Sequence, residues 1–444
     1  MSDKQPHVSR LRFLGVCVIL LAVVFLLVPK KYQPDFGRLF SSDDGSDNAR
    51  LLATKSDRSA DSLGKNRNRS PRRDPKEWFA EVRARNPELE PEWKTVPDDE
   101  NGFLQWLEFC EKHEVDGPHG FGKLDMPENI AAMLSDPEKW DAGAMRAYLD
   151  ENKELMESIT RIGLLPGQSA AGIEVNRLGF VGARFTKQCT ELLLADARLA
   201  AEAGDLDLAL TRVKAVRGLA NHYDQIEAPT LMMATVSTLV RMNTQDQFMK
   251  YFLPTLNGNT AEIARWREIV RSPNMEPAGY ARFLRGEGWA GLGAMVIPLV
   301  NTSNSSPSQP HIPDPDALFD AFAQSSVATA KNAQTFSLDQ FFIGDDDPES
   351  PIDVSHLSQE ARDLLETSRI GTSAWAKGWA RSVSLSARTD AALAILQGAE
   401  IPIEPFTGLP YIYDPVTRTV QSPLDPALLE KMNMGAPLRL PQGR

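Results

Sequence analysis

An apolar stretch near the amino terminus, residues 13–28, constrains this chain more than any other feature of its sequence. It reads FLGVCVILLAVVFLLV, with two arginines shortly before it and two lysines shortly after it. At 1.5 Å of rise per residue, a helix of this length spans roughly 24 Å, and flanking basic side chains can snorkel to cover the small deficit against the hydrocarbon core of a bilayer. The stretch is therefore predicted to be a transmembrane helix, with the lipid bilayer as its partner.

Two other interpretations of this stretch are a cleaved signal peptide and a buried core helix. A cleaved signal needs small residues just past the apolar core, whereas here the chain continues as PKKYQP. Cys17 follows the bulky Val16 and lies too early for a lipoprotein site. We therefore favour an uncleaved anchor over both alternatives.

The orientation of the anchor is not fixed by its flanking charges. Each side carries three basic residues, namely Lys4, Arg10 and Arg12 before the span and Lys30, Lys31 and Arg38 after it. An anchor this close to the start of a chain commonly leaves its short tail inside, while a long following domain translocates largely regardless of charge. The expected location is the cell inner membrane, as a single-pass protein with an extracytoplasmic C-terminal domain.

Charge divides the chain sharply beyond the anchor. Residues 1–75 carry a net charge of +6 and the whole chain carries −12, so residues 76–444 carry −18. A domain this acidic is not expected to neutralise nucleic-acid phosphates, and no nucleic-acid partner is predicted. About 370 residues are enough for a substantial core or for two domains.

Residues 29–75 are rich in Ser, Asp, Arg and Asn and contain few aromatic side chains. Such a composition buries too little apolar surface to offset the ordering of its backbone, so a disordered tether is predicted. A flexible chain of this length reaches on the order of 35–40 Å from the membrane. Its basic run, at positions 65–73, either touches anionic lipid head groups or is simply solvated, and we favour the second.

Helical periodicity dominates the sequence after the tether. Asp136 before Pro137 is an expected N-cap, followed by an approximate apolar stripe that predicts a helix with a break near Gly163 and Pro166. Further on, two apolar stripes flank Gly204 and Asp205, a pair that resembles the turn of a tetratricopeptide-type helical hairpin. A sustained 34-residue repeat is not evident, so an irregular helical domain is favoured over a repeat array.

Pro229 is expected to open a third helix of this region. The predicted fold class is mainly α, an irregular helical domain with tetratricopeptide-like helix pairs, a small C-terminal β-hairpin and an N-terminal transmembrane helix. The predicted organisation is a short tail (1–12), the anchor (13–28), the tether (29–75), a helical domain (76–300), a loop or linker (301–315), a helical segment with a long Trp-bearing helix (316–400), and a Pro-rich turn with the hairpin (401–444).

Two short elements of the sequence resemble a known group of proteins. Pro405-Phe406-Thr407-Gly408-Leu409-Pro410, after the long helix and ahead of two tyrosines, is similar to a "DPFTGxPL.Y" element at the end of uncharacterised bacterial membrane-anchored helical proteins. Pro229-Thr230-Leu231 and Arg285-Gly286-Glu287 are similar to elements in the middle of that group. Glu404 stands where the group carries Asp. The resemblance implies a membrane-anchored helical fold and no particular reaction.

The residues best suited to chemistry do not form a convincing site. His113, Glu114, Asp116 and His119 are possible zinc ligands, but a hydrated loop at a helix end explains them equally well. Three consecutive aspartates at 345–347 lack the alternating spacing of a calcium loop, so a solvated turn is favoured. No G-x-S-x-G, Walker A, G-x-G-x-x-G or H-E-x-x-H motif is present. No catalytic, cofactor-binding or metal-binding residue is assigned.

Cys110 and Cys189 leave two possibilities open. In an extracytoplasmic domain they are able to form a disulfide, and both also lie on apolar helix faces where a buried free thiol is ordinary.

From the predicted anchor and helical domain, and without an assigned site, we expect an interaction or scaffolding protein with an unidentified protein partner. The alternative is an extracytoplasmic hydrolase or metal-dependent enzyme with a non-contiguous site.

Overall fold

The computed structural model describes residues 73–115, 122–178, 182–256, 259–271, 277–305, 312–333 and 352–441. The predicted anchor at 13–28 and the tether up to residue 72 lie outside these ranges, as do the aspartates 345–347. Within these ranges, no helix is both long enough and apolar enough to cross a bilayer. Contacts divide the chain into one unit of Met1–Arg73 and Asn301–His311 and another of Asp74–Val300 and Ile312–Arg444.

The second unit is mainly helical with a small antiparallel sheet near its end, as predicted. In chain order, the helices are α1 (Pro75–Arg85), α2 (Gly102–His113), α3 (Glu128–Ser135), α4 (Ala142–Glu151), α5 (Lys153–Gly163), α6 (Val175–Leu178), α7 (Ala183–Glu202), α8 (Leu206–Asp224), α9 (Leu231–Gln247), α10 (Thr260–Val270), α11 (Pro277–Gly286), α12 (Ile297–Ser305), α13 (Pro315–Asn332), α14 (Gln359–Gln397) and α15 (Pro426–Lys431). A π-helix, Glu287–Val296, joins α11 to α12, and a shorter one, Phe248–Phe252, follows α9. Helix α12 continues to Ser305, into the segment predicted as a linker.

Helices α7 and α8 form the hairpin that the Gly-Asp pair indicates. Gly204 adopts a left-handed conformation, with φ of 84°, and its N–H donates to the Ala201 carbonyl. The Asp205 N–H donates to the Ala200 carbonyl, which completes a Schellman motif. The side chain of Asp205 then accepts from the Leu208 N–H at 3.0 Å and caps α8. Two adjacent residues therefore end one helix and begin the next.

The prediction of one continuous helix after Asp136 is wrong, because the structure has a short turn and a separate helix there. Asp136 does cap a helical turn, but the turn is a 3₁₀ segment, Pro137–Lys139. Asp141, five residues later, accepts from the Gly143 and Ala144 N–H groups and begins α4 instead. Similarly, α9 begins after Thr230, whose side chain accepts from the Met233 N–H, and not at Pro229. The capping residues Asp141 and Thr230 lie downstream of Asp136 and Pro229, so each helix begins later than predicted.

Helix α8 lies at the centre of the unit and contacts α2, α5, α7, α9 and α10. It approaches α5 very closely, because a Cβ atom added at Gly218 would lie 1.7 Å from the Gly163 carbonyl oxygen. A Cβ atom added at Gly163 would lie 2.4 Å from the Ala215 carbonyl oxygen. The two backbones are therefore in direct contact at this crossing. Only residues without a Cβ allow that distance.

The 39-residue helix α14 packs across α9 and α10 and carries the C-terminal elements. Gly398, with φ of 70°, ends it in a second Schellman motif. Buried alanines near the end of the helix, at 387, 391 and 392, pack against Tyr411 and Val420. Helix α15 covers an earlier part of α14 with Leu428 and Leu429.

The sheet contains the predicted hairpin and one additional strand. Its strands are β1 (Ile412–Asp414), β2 (Thr419–Gln421) and β3 (Leu438–Arg439), in the order β1-β2-β3. Ile412 pairs with Gln421 and Val420 pairs with Leu438, both in antiparallel register. Strand β1 is thus at an edge of the sheet, with a proline on either side of it in the sequence, at 410 and 415.

We expect Gly218→Ala to destabilise the protein, although alanine is the better helix former. The new methyl group would overlap the backbone of α5, at a cost of about 2–4 kcal/mol in the free energy of unfolding. Gly378→Ala is the matched control, since Gly378 lies within α14 with no atom near its would-be Cβ. That change should stabilise by about 0.5–1 kcal/mol. Urea unfolding of both variants measures the contrast, and equal effects would contradict it.

Candidate interaction surface

The turn at 403–410 is held onto α14 by the buried side chain of Glu404. One carboxylate oxygen accepts from the Phe406 and Thr407 N–H groups, both at 2.8 Å, and the other accepts from the Ser384 hydroxyl of α14 at 3.4 Å. The Gly408 N–H donates to the Glu404 carbonyl and closes the turn. Burial raises the pKa of Glu404, while the two backbone donors oppose that shift. The Glu404 side chain therefore anchors this turn to α14.

Aromatic side chains hold the same turn from a second direction. The Phe406 ring meets Trp379 of α14 edge to face, with ring centroids 5.9 Å apart. Tyr411, just after the turn, is buried and its hydroxyl lies 3.5 Å from the Ser384 carbonyl. The inner face of 403–411 is thus fully engaged with the long helix.

Four aliphatic side chains between residues 403 and 416 are exposed. Ile403 is 62% exposed, Leu409 54%, Ile412 56% and Val416 90%. Ile403 pairs with Pro410 across the turn, and Ile412 follows two residues later on the same face, because side chains alternate along a strand. We call these four residues the aliphatic surface. Exposed apolar groups concentrated in one short segment are typical of interaction sites.

Strand β1 adds hydrogen-bonding capacity beside the aliphatic surface. Its partner β2 occupies one edge, and within the described residues no strand pairs with the other edge. A free edge presents backbone N–H and C=O groups to an incoming chain. The side chain of Asp414, at the end of β1, accepts hydrogen bonds from the Val416 N–H and the Thr417 hydroxyl, so it is bound to the following turn. The region therefore offers apolar side chains together with a short unpaired backbone edge.

The sequence-derived zinc candidates are only partly within the described residues. His113 ends α2, its ring lies 4.4 Å from that of Phe109, and burial lowers its pKa. Glu114 follows it at the end of the helix, while Asp116 and His119 lie outside the described ranges. In the part of the chain that the structure covers, no group of three or more His, Cys, Asp or Glu side chains is placed to hold a metal ion.

Cys110 and Cys189 are buried free thiols in the structure. Burial raises the pKa of each well above its ordinary value, so both are protonated at neutral pH and poor nucleophiles. Nearby, the Trp106 indole N–H donates to the hydroxyl groups of Thr186 and Tyr223, both at 3.1 Å. The indole and the two hydroxyl groups thus form a hydrogen-bonded cluster in the core, next to thiols that are poor nucleophiles.

The start of α9 contacts the junction between α11 and the π-helix. Gly286 packs against Pro229, since a Cβ atom added there would lie 2.6–2.8 Å from three Pro229 atoms. Glu287, the first residue of the π-helix, accepts a hydrogen bond from the Leu231 N–H at the start of α9. Burial raises the pKa of Glu287 to about 7, and the hydrogen bond opposes that shift. A carboxyl group with this pKa changes its charge near neutral pH.

Comparisons of the chain with protein-family models, with curated proteins and with solved structures found no match. The functional argument therefore rests on the geometry of the chain itself. The sequence around Tyr411 indicates an extended segment between prolines, but it does not show which of its aliphatic side chains are exposed. Sequence reasoning predicted the hairpin there but not its role as a surface.

We expect Glu287→Gln to change how stability depends on pH. The folded-state pKa of about 7 exceeds the ordinary value of 4.5, so the folded protein holds an extra proton between these values. The stabilising contribution is then complete below pH 4.5 and is lost as the pH rises through 7. Glutamine still accepts from Leu231 but does not ionise, so the variant should gain about 1–3 kcal/mol over the unaltered chain at pH 8 and nothing at pH 4.5.

Urea unfolding from pH 4.5 to 8 measures this effect. Glu400→Gln, at an exposed carboxyl just beyond α14, is the control and should leave the pH profile unchanged. If Glu287→Gln raised the free energy of unfolding equally at pH 4.5 and pH 8, the effect would come from packing. That result would contradict the ionisation of Glu287 near pH 7.

Proposed function

We propose that this chain is a single-pass membrane protein whose mainly helical extracytoplasmic domain binds a protein partner as an interaction or scaffolding module. The observation that carries the proposal is the aliphatic surface beside the free edge of β1. The apolar stretch 13–28 supports the anchor, and the composition of the tether supports a domain held away from the bilayer.

The proposed mode of binding is strand addition. An extended segment of the partner pairs with β1 through backbone hydrogen bonds, and its apolar side chains contact Ile403 and Ile412. Glu404 and Phe406 keep this surface rigid on α14, so little conformational entropy is lost when the partner binds. The hairpin of α7 and α8 resembles a tetratricopeptide-type pair, which fits a domain that presents broad helical faces.

Site-specific photocrosslinking in intact membranes tests the binding surface. With p-benzoylphenylalanine at position 403, 412 or 416 of the full-length protein, we expect all three positions to give an adduct with the same protein. Leu164, a leucine of 45% exposure just after α5, is the matched control position and should not give that adduct. In a chain that also carries Leu409→Ser, the adduct should weaken severalfold, because an apolar contact is lost.

Three outcomes would overturn the proposed surface. They are equal labelling at Leu164, a different adduct at each surface position, and no protein adduct at any of the three. Adducts with lipid alone at 403, 412 and 416 would instead place this face against the membrane.

Fractionation and reporter fusions test the location independently. We expect the full-length protein in the membrane fraction, and a chain lacking residues 13–28 outside it, because the deletion removes the apolar helix that partitions into lipid. A C-terminal reporter that is active only outside the cytoplasm should be active in the full-length fusion. Soluble full-length protein, or an N-terminus that begins after residue 28, would contradict the anchor.

A further inference from the structure

We draw no further inference here: the strongest candidate, the shallow cleft at the end of α5 lined by Leu164, Leu165 and Arg212, carries nothing, because Arg212 is already paired with Asp196 and nothing in the described part of the chain shows what covers the two leucines.

Discussion

The packing of the helical body depends on how closely the neighbouring helices approach α8. A helix that five others touch needs positions where a neighbour can come nearer than a side chain allows. Gly163 and Gly218 provide one such position, and Gly102 provides another by packing directly onto the ring of His222. Larger residues at these points would push α5 and α2 outward and expose the apolar face of α8. A core packed at native density has no empty space into which the displaced side chains can move.

His222 illustrates how this close packing changes ionisation. Its Nε2 lies 2.9 Å from the Ile162 carbonyl, and burial lowers its pKa to about 4. The ring is therefore neutral in the folded protein, and acidification below pH 6.5 favours the unfolded chain through this residue. Glu287 has the opposite effect between pH 4.5 and 7. Mild acidification therefore changes stability in opposite directions through these two buried groups.

Local patterns predicted the elements whose causes are local. The α7–α8 turn followed from Gly204 and Asp205, and the long Trp-bearing helix predicted within residues 316–400 is α14. The starts of α4 and α9 were misplaced, because their capping residues Asp141 and Thr230 lie downstream of the residues expected to open these helices. The third strand was not predicted, since Leu438–Arg439 is too short to carry a pattern.

The candidate sites depend on contacts between distant parts of the chain, which periodicity does not reveal. Glu404 resembles an ordinary surface carboxylate in the sequence, and only its contact with α14 makes it an anchor. Sequence analysis considered His113 and its neighbours as zinc ligands because of their residue types and assigned no metal site, since residue type does not show whether side chains lie close together.

The two prolines that flank β1 limit what its free edge can recruit. Proline has no N–H group to donate, so ladder pairing beyond either end of the three-residue strand would lack hydrogen bonds. A segment of a few residues can still dock, whereas a long strand gains nothing from its extra length. Because the prolines interrupt the ladder of hydrogen bonds, they disfavour edge-to-edge stacking of copies of this chain into fibres, even though the Val416 and Ile412 side chains are apolar and exposed.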